Sequence, residues 1–312
     1  MKKQRKRIAI IITAAVSYVL SAAAMAVGDH SAPGALVGVG SHRLHIDCLG
    51  DGRPTIILDS GMGGSSLDWT RVRPAIAEFT RVCSYDRAGY GWSENGPLPR
   101  TGARLAEELH ELVARAEIAA PYVLVGHSFA GFIVRLFAGK YPDETAGLVL
   151  VDASHENQFE MFRRDRTAPD IRPSWMFMRA NRPRVPVNMP AEVVETARQL
   201  AATRSAYIAL QGEMQSFVRS AEQVRMAPAL PDVPLIVLTR GRQEWGGEGR
   251  GPKMERLWLE LQRELTYSTP RSIHLVAQES GHYIHLDQPE IVVDSVRAIT
   301  DIWRDTNPAA GE

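Results

Sequence analysis

The chain has 312 residues, 45% of them hydrophobic and 23% charged, an ordinary globular composition long enough for one large domain or two small ones. Its 36 basic and 36 acidic residues cancel, so no basic excess points to nucleic acid and no acidic tract marks a disordered tail. No internal repeat or low-complexity segment is visible.

The first 26 residues read as a targeting segment. MKKQRKR carries five positive charges, IAIIITAAVSYVL is apolar, and SAAAMA offers small residues at the spacing a signal peptidase needs. An uncleaved membrane anchor over residues 8–27 is the alternative, because that stretch is about the ~20 residues that span a bilayer. In either case the basic end stays in the cytoplasm and the body is exported, periplasmic or extracellular if cleaved. Cleavage after Ala26 would remove the five basic residues and no acidic one, leaving a net charge of about −5.

Beyond the signal, ALVGVGSHRLHIDCLG reads as a hairpin, PTIILDSG as a buried strand and RVCSYDRAG as another. RTGARLAEELHELVARAE then carries apolar residues at helical spacing. YVLVGHS is a strand, FAGFIVRLFAGKY a helix and AGLVLVDAS a strand. Residues 154–230 break the rhythm, being rich in Arg, Met, Pro and aromatics and helical in part, and read as a cap inserted between two strands. The alternation resumes with strand PLIVLTRG, helix PKMERLWLELQRELTY, strand SIHLVAQE and helix QPEIVVDSVRAITDIWRD. Strands this apolar, alternating with helices, indicate an α/β fold with a mostly parallel sheet covered on both faces. Cys48 and Cys83 both fall in strand-like stretches. An exported chain meets an oxidising compartment that permits them to pair, and two buried free thiols are the alternative.

PYVLVGHSFAGF is where chemistry becomes legible. A strand that turns sharply through Gly126, His127, Ser128, Phe129 and Ala130 into a helix holds a serine in a strained conformation above the sheet edge, with small neighbours letting the chain pass. Here the sequence resembles the α/β-hydrolase family, over about residues 36–304. The resemblance implies an eight-stranded sheet with a core of residues 36–153 and 231–304 and a helical cap. The family's second elbow glycine is Ala130 in this chain, followed by Gly131.

The resemblance also assigns roles. Ser128 is the expected nucleophile, and His282 in QESGHYIHLDQPE the expected base, with His285 its neighbour and rival and His127 an oriented neighbour of the serine. The acid that orients the histidine is left between Asp152, which closes the sixth strand, and Glu244, which follows the seventh with Glu248 close by. The Gly-rich loop ILDSGMGGSSLDW, with Ser60-Gly61 where the family usually has His-Gly, is expected to supply the backbone N–H of Met62 as an oxyanion donor beside that of Phe129. In YDRAGYGWSE, Asp86 and Arg87 read chiefly as a scaffold for their own turn. In the family's sheet the second and fourth strands are neighbours, which implies a Cys48 to Cys83 disulfide if the register aligns them.

Together these signs imply a serine hydrolase acting on a carboxylic ester or related acyl substrate through an acyl-enzyme, with no metal or cofactor. The substrate is a small molecule, no nucleic acid is expected, and the membrane enters only through the N-terminal segment. Ser128 disfavours haloalkane dehalogenase or epoxide hydrolase chemistry, which uses a carboxylate nucleophile on this fold. An acyltransferase or cofactor-free peroxidase on the same triad, and a non-catalytic ligand-binding member of the fold, remain as alternatives. In the cap, Trp175, Met176, Phe177 and Met178 read as cap core before acyl pocket. Arg163, Arg164 and Arg166 read as a solvated helix face.

Overall fold

The computed structural model describes residues 32–164, 185–245 and 251–308. The expected signal, the cap residues Arg166 and Trp175 to Met178, and Glu248 lie outside the described residues, as do the side chains of Arg163 and Arg164.

Alternating residues build β1 (Ala35–Val39) and β2 (His42–Leu49), an antiparallel hairpin at one edge of the sheet. Uninterrupted apolar runs build β3 (Thr55–Asp59), β4 (Val82–Tyr85), β5 (Tyr122–His127), β6 (Thr145–Val151) and β7 (Leu235–Arg240), every residue of which is buried. β8 (Ser272–Ala277) closes the other edge and alternates between exposed and half-buried residues. The strand order is β1-β2-β4-β3-β5-β6-β7-β8. β2 is antiparallel to β4, and every later pairing is parallel, so only the first hairpin departs from a parallel sheet.

Helices cover both faces, and the period of two along each strand divides its side chains between them. Ile57, Leu124, Leu148 and Val237 pack with Leu105 and Leu109 of α2 (Gly102–Arg115) and with Phe132 and Phe137 of α3 (Ala130–Lys140). Their neighbours Ile56, Val123, Val149 and Ile236 pack with Ile76 of α1 (Arg73–Ala77) and Val292, Val296 and Ile299 of α9 (Pro289–Thr306). Each such side chain, fully withdrawn from water, contributes about 1.5–3 kcal/mol. The two faces together hold the strands, and hence the loops at their C-terminal ends, in fixed register.

Between β6 and β7 the described residues form α4 (Gln158–Arg164), α5 (Ala191–Ala201) and α6 (Arg204–Met226), and no strand. Thr203 caps α6, its side chain accepting from the N–H of Ala206 at 3.1 Å. Phe217 of α6 reaches the first core, so this helix belongs to the sheet's packing as much as to the cap. α7 (Gly251–Leu265) and the short α8 (Ile284–Asp287) complete the set among the described residues.

The β2–β4 register places Cys48 opposite Cys83, and the two are joined by a disulfide with Cα atoms 4.0 Å apart. The bridge closes a loop between residues 35 apart, worth about 3–4 kcal/mol by chain entropy. No helix among the described residues is long and apolar enough to cross a membrane.

Candidate active site

Ser128 sits between β5 and α3 with φ at 53°, a left-handed conformation that costs a non-glycine residue of order 1–3 kcal/mol. Contacts on both sides impose it. A Cβ at Gly126 would lie 2.8 Å from Cγ2 of Val134, and one at Gly131 would lie 2.6 Å from Cβ of Ala153. Ala130, between them in the turn, is fully buried. The Ser128 N–H donates to Val151 O at 3.0 Å, and its carbonyl accepts from the N–H of Ser154 at 2.8 Å. The elbow is thereby pinned to the end of β6.

Asp152, at that strand end, is also left-handed, with φ at 42°. Its Oδ2 lies 2.6 Å from Nδ1 of His282, while Arg240 donates to Oδ2 at 2.9 Å and the Trp258 indole donates to Oδ1 at 2.8 Å. Burial alone would raise the pKa of this carboxyl, but the His282 hydrogen bond and the Arg240 charge outweigh it and hold the group below its ordinary value. Arg240 is itself shared with Glu255 at 2.9 Å, and it lies 4.5 Å from the Trp245 ring and 5.1 Å from the Trp258 ring. Nothing in the sequence reading anticipated Arg240 or Trp258. A charged residue ending the buried run LIVLTR beside the strand that carries Asp152 was the available signal for Arg240, whereas Trp258 in an amphipathic helix offered none.

Glu244 stands near the same histidine in a different relation. Its Oε1 accepts the backbone N–H of His282 at 3.0 Å and makes no bond to the imidazole. His285 is fully buried, its ring 4.5 Å from that of Trp69, and neither ring nitrogen has a partner among the described residues. His127 uses Nε2 against the carbonyl of His282 at 3.0 Å, which makes that nitrogen the donor and leaves Nδ1 bare. Of the three, only His282 faces a carboxylate with its ring and also lines a cavity with Ser128. No hydrogen bond joins Ser128 to His282 among the described residues, a separation of the kind that closes when substrate binds.

The cavity measures about 620 Å³ and is lined by Met62, Phe129, Phe217 and Tyr283 as well as by Ser128 and His282. The backbone N–H groups of Met62 and Phe129 donate to no protein acceptor among the described residues and stay available to a ligand.

Arg87 departs from the scaffold role expected of it. Asp86 does hold its own neighbourhood, accepting from the N–H of Ser66 at 2.6 Å and Trp92 at 3.1 Å and pairing with His45 at 2.8 Å. Arg87 instead leaves the turn. It donates to the carbonyls of Ser60 at 2.5 Å and Gly61 at 2.9 Å, to Asp59 at 2.6 Å and to Glu213 of α6 at 2.8 Å. A guanidinium has enough forked donors to bind all four at once. Burial opposes its charge, but Glu213 and Asp59 outweigh that and keep it protonated. Glu213 too was missed. A lone carboxylate among the small and apolar residues of IALQGEMQSF was the sign.

The sequence matches the model of a family described as "Alpha/beta hydrolase family" over residues 56–295. It is 25% identical over 252 residues to the protein YqjL of Bacillus subtilis, covering 80% of this chain and 83% of that one. A higher identity, 36% over 136 residues, links it to the protein named "Probable transporter efuK" of Hormonema carpetanum, but there the match spans 41% of this chain and only 19% of the other. Among solved structures, a thermophilic esterase from Thermogutta terrifontis aligns with a TM-score of 0.62 at 21% identity, covering 86% of this chain and 98% of that one. An epoxide hydrolase and two haloalkane dehalogenases align at TM-scores of 0.62 to 0.64 with 15 to 17% identity. At these identities the structural likeness is one of fold.

The histidine cluster gives the protein a pH signature. Burial lowers His285 to about 3 and His155 to about 4, and pushes His127 well below its ordinary 6.5. Below pH 6.5 these histidines bind protons in the unfolded chain that they refuse in the folded one, so they lower stability with falling pH through the window from 6.5 towards 4, against the opposite contribution of Asp59 and Asp68, whose carboxyls burial raises. Each such group contributes a slope of up to about 1.4 kcal/mol per pH unit. Urea unfolding at pH 7.0, 6.0 and 5.0 should show that His285→Phe loses less stability with falling pH than the wild type does. An unchanged slope in that variant would mean that His285 is charged in the folded state.

Proposed function

The chain belongs to the alpha/beta hydrolase family, and we propose that it is a serine hydrolase that cleaves a carboxylic ester of a small molecule through an acyl-enzyme. The observation that carries this reading is the 2.6 Å contact between Asp152 and His282 Nδ1, in a cavity whose floor holds a strained, elbow-borne Ser128.

With Nδ1 bound to Asp152, Nε2 of His282 is the nitrogen free to act as base. Ser128 Oγ attacks the ester carbonyl carbon, and its proton passes to Nε2. The carbonyl oxygen, now negative, accepts hydrogen bonds from the N–H groups of Met62 and Phe129, the latter at the start of α3. The tetrahedral species collapses, the C–O bond to the alcohol breaks, and His282 returns the proton to the departing oxygen. Water then repeats the sequence on the acyl-serine, giving the free acid and regenerating Ser128. Asp152 stays ionised throughout, because its lowered pKa lets it stabilise the imidazolium without taking its proton. Glu244 acts on the backbone, setting where residue 282 stands.

A fluorophosphonate should label the protein at Ser128, and Ser128→Ala should abolish both labelling and ester hydrolysis without unfolding the protein, since it leaves no core cavity. Hydrolysis retained above a few per cent in that variant would refute the nucleophile.

The two acidic residues separate by their bonds. Asp152→Asn should lower turnover on the order of 10⁴-fold by the logic of a triad aspartate. Glu244→Gln, which keeps an oxygen for the His282 N–H, should cost less than about tenfold. Equal losses in the two would remove the distinction drawn here.

The reading extends to location. The basic and apolar N-terminal segment and the Cys48–Cys83 bridge both support an exported protein. Mass spectrometry of the protein after export, alkylated without reduction, should find no alkylated thiol. Its mass distinguishes a chain beginning near Val27 from one keeping the segment as an anchor. Two alkylated thiols in the active protein would refute the bridge.

A further inference from the structure

The cavity over Ser128 has walls of two kinds. Met62, Phe129 and Phe217 offer apolar surface, while the connection from β6 to α4 contributes Ser154 and Gln158. Ser154 stands beside the nucleophile, since its N–H is bonded to the Ser128 carbonyl at 2.8 Å. Both residues are almost wholly buried, at 4% and 2% exposure.

Their polar atoms have a definite sense. Oε1 of Gln158 accepts from the N–H of His155 at 3.0 Å. Only the carbonyl oxygen can accept there, so the amide cannot be turned over, and its NH₂ is the end of this cavity-lining residue left to donate. Neither Nε2 of Gln158 nor Oγ of Ser154 has a hydrogen-bond partner among the described residues. The carboxylates nearby already hold partners. Asp152 is bound by His282, Arg240 and Trp258, Glu244 by His282, and Asp287 by Gly281 and Asn188.

Neither donor is sealed from the cavity, and two donors lining one cavity without a protein acceptor favour a ligand that brings the acceptor itself. Its charge is also constrained. Arg240, the cation among the described lining residues, is neutralised by Asp152 and Glu255. Two neutral donors with no spare cation suit a neutral oxygen and not a carboxylate.

We propose that Ser154 and Gln158 form an oxygen-recognising subsite, so that the ester this protein hydrolyses carries an ether, hydroxyl or carbonyl oxygen within a few atoms of the scissile bond. The proposal rests on Ser128 being the nucleophile and names the substrate class of that same site. An all-carbon chain would leave both donors unmet, and a site built to bond an oxygen discriminates strongly against the analogue lacking it.

Two isosteric pairs test it, each exchanging one CH₂ for an oxygen. p-Nitrophenyl 3-methoxypropanoate against p-nitrophenyl pentanoate probes the acyl side, and 2-methoxyethyl acetate against butyl acetate probes the alcohol side. Values of kcat/KM are divided by the rates of alkaline hydrolysis to remove intrinsic reactivity. In at least one pair the oxygenated ester should be favoured about tenfold or more, which corresponds to the ~1.4 kcal/mol of one hydrogen bond. That preference should fall below about twofold in Ser154→Ala combined with Gln158→Glu, a change that keeps the acceptor for His155 but removes the amide donors, while fluorophosphonate labelling of Ser128 persists. Equal rates within both pairs in the labelled wild type, or a preference that survives in the double variant, overturns the subsite alone. Failure of the probe to label Ser128 in the wild type overturns the parent reading and the subsite with it.

Discussion

A single buried guanidinium ties the C-terminal edge of the sheet to the cap. Arg87 lies 3% exposed, with two carboxylates within 2.8 Å and two carbonyls of the Gly-rich loop within 2.9 Å. Taking such a charge out of water is expensive, and the cost is met only because every bond is made. The carbonyls of Ser60 and Gly61 consequently point at Arg87. The next peptide N–H in the chain, that of Met62, is free to point elsewhere. Glu213 reaches Arg87 from α6, and the Tyr90 hydroxyl donates to Glu213 at 3.0 Å. The placement of the Gly-rich loop is thus decided by groups from β3, from the turn after β4 and from the cap. The turn sequence that looks like local scaffolding acts across most of the site.

The acid end of the site follows the same logic with more partners. Asp152 accepts from an imidazole, a guanidinium and an indole, and its own backbone N–H is bonded to Leu238 O at 2.7 Å. That leaves the carboxylate no rotamer freedom, and its left-handed backbone is held by β7. Arg240 in turn is confined between two indoles and a second carboxylate. Residues from β6, β7 and α7 therefore fix the position of one imidazole ring.

The fold was largely legible because it depends on periodicity. Apolar runs such as TIILD and TAGLVLV announce buried parallel strands, and each helix with a strong apolar stripe lies where that stripe suggests. The elbow was legible because a serine on a tight strand-to-helix turn needs small residues in a short window, and that demand is local. Which carboxylate meets the imidazole was not, because Asp152 and Glu244 are both within reach of His282 and the difference lies in which atom of the histidine each meets. That is a matter of three dimensions: Glu244 ends on the backbone and Asp152 on the ring. Arg87 escaped for the same reason, since its partners lie 26 to 126 residues away in sequence. Local composition predicts turns well and long-range ion pairs poorly.

The disulfide at the sheet's antiparallel edge reaches further than the two strands it joins. β2 carries Cys48 and, three residues earlier, His45, whose ring is buried against Asp86, and Asp86 holds the N–H of Ser66 at the far end of the Gly-rich loop. An edge hairpin is where a sheet opens first, and β1 has no partner in the sheet other than β2. With Cys48 bonded to Cys83, fraying that begins at β1 meets a covalent stop before it separates β2 from β4. A crosslink at the sheet's edge thereby sets how far that edge can loosen before the Gly-rich loop loses the anchor Asp86 gives it.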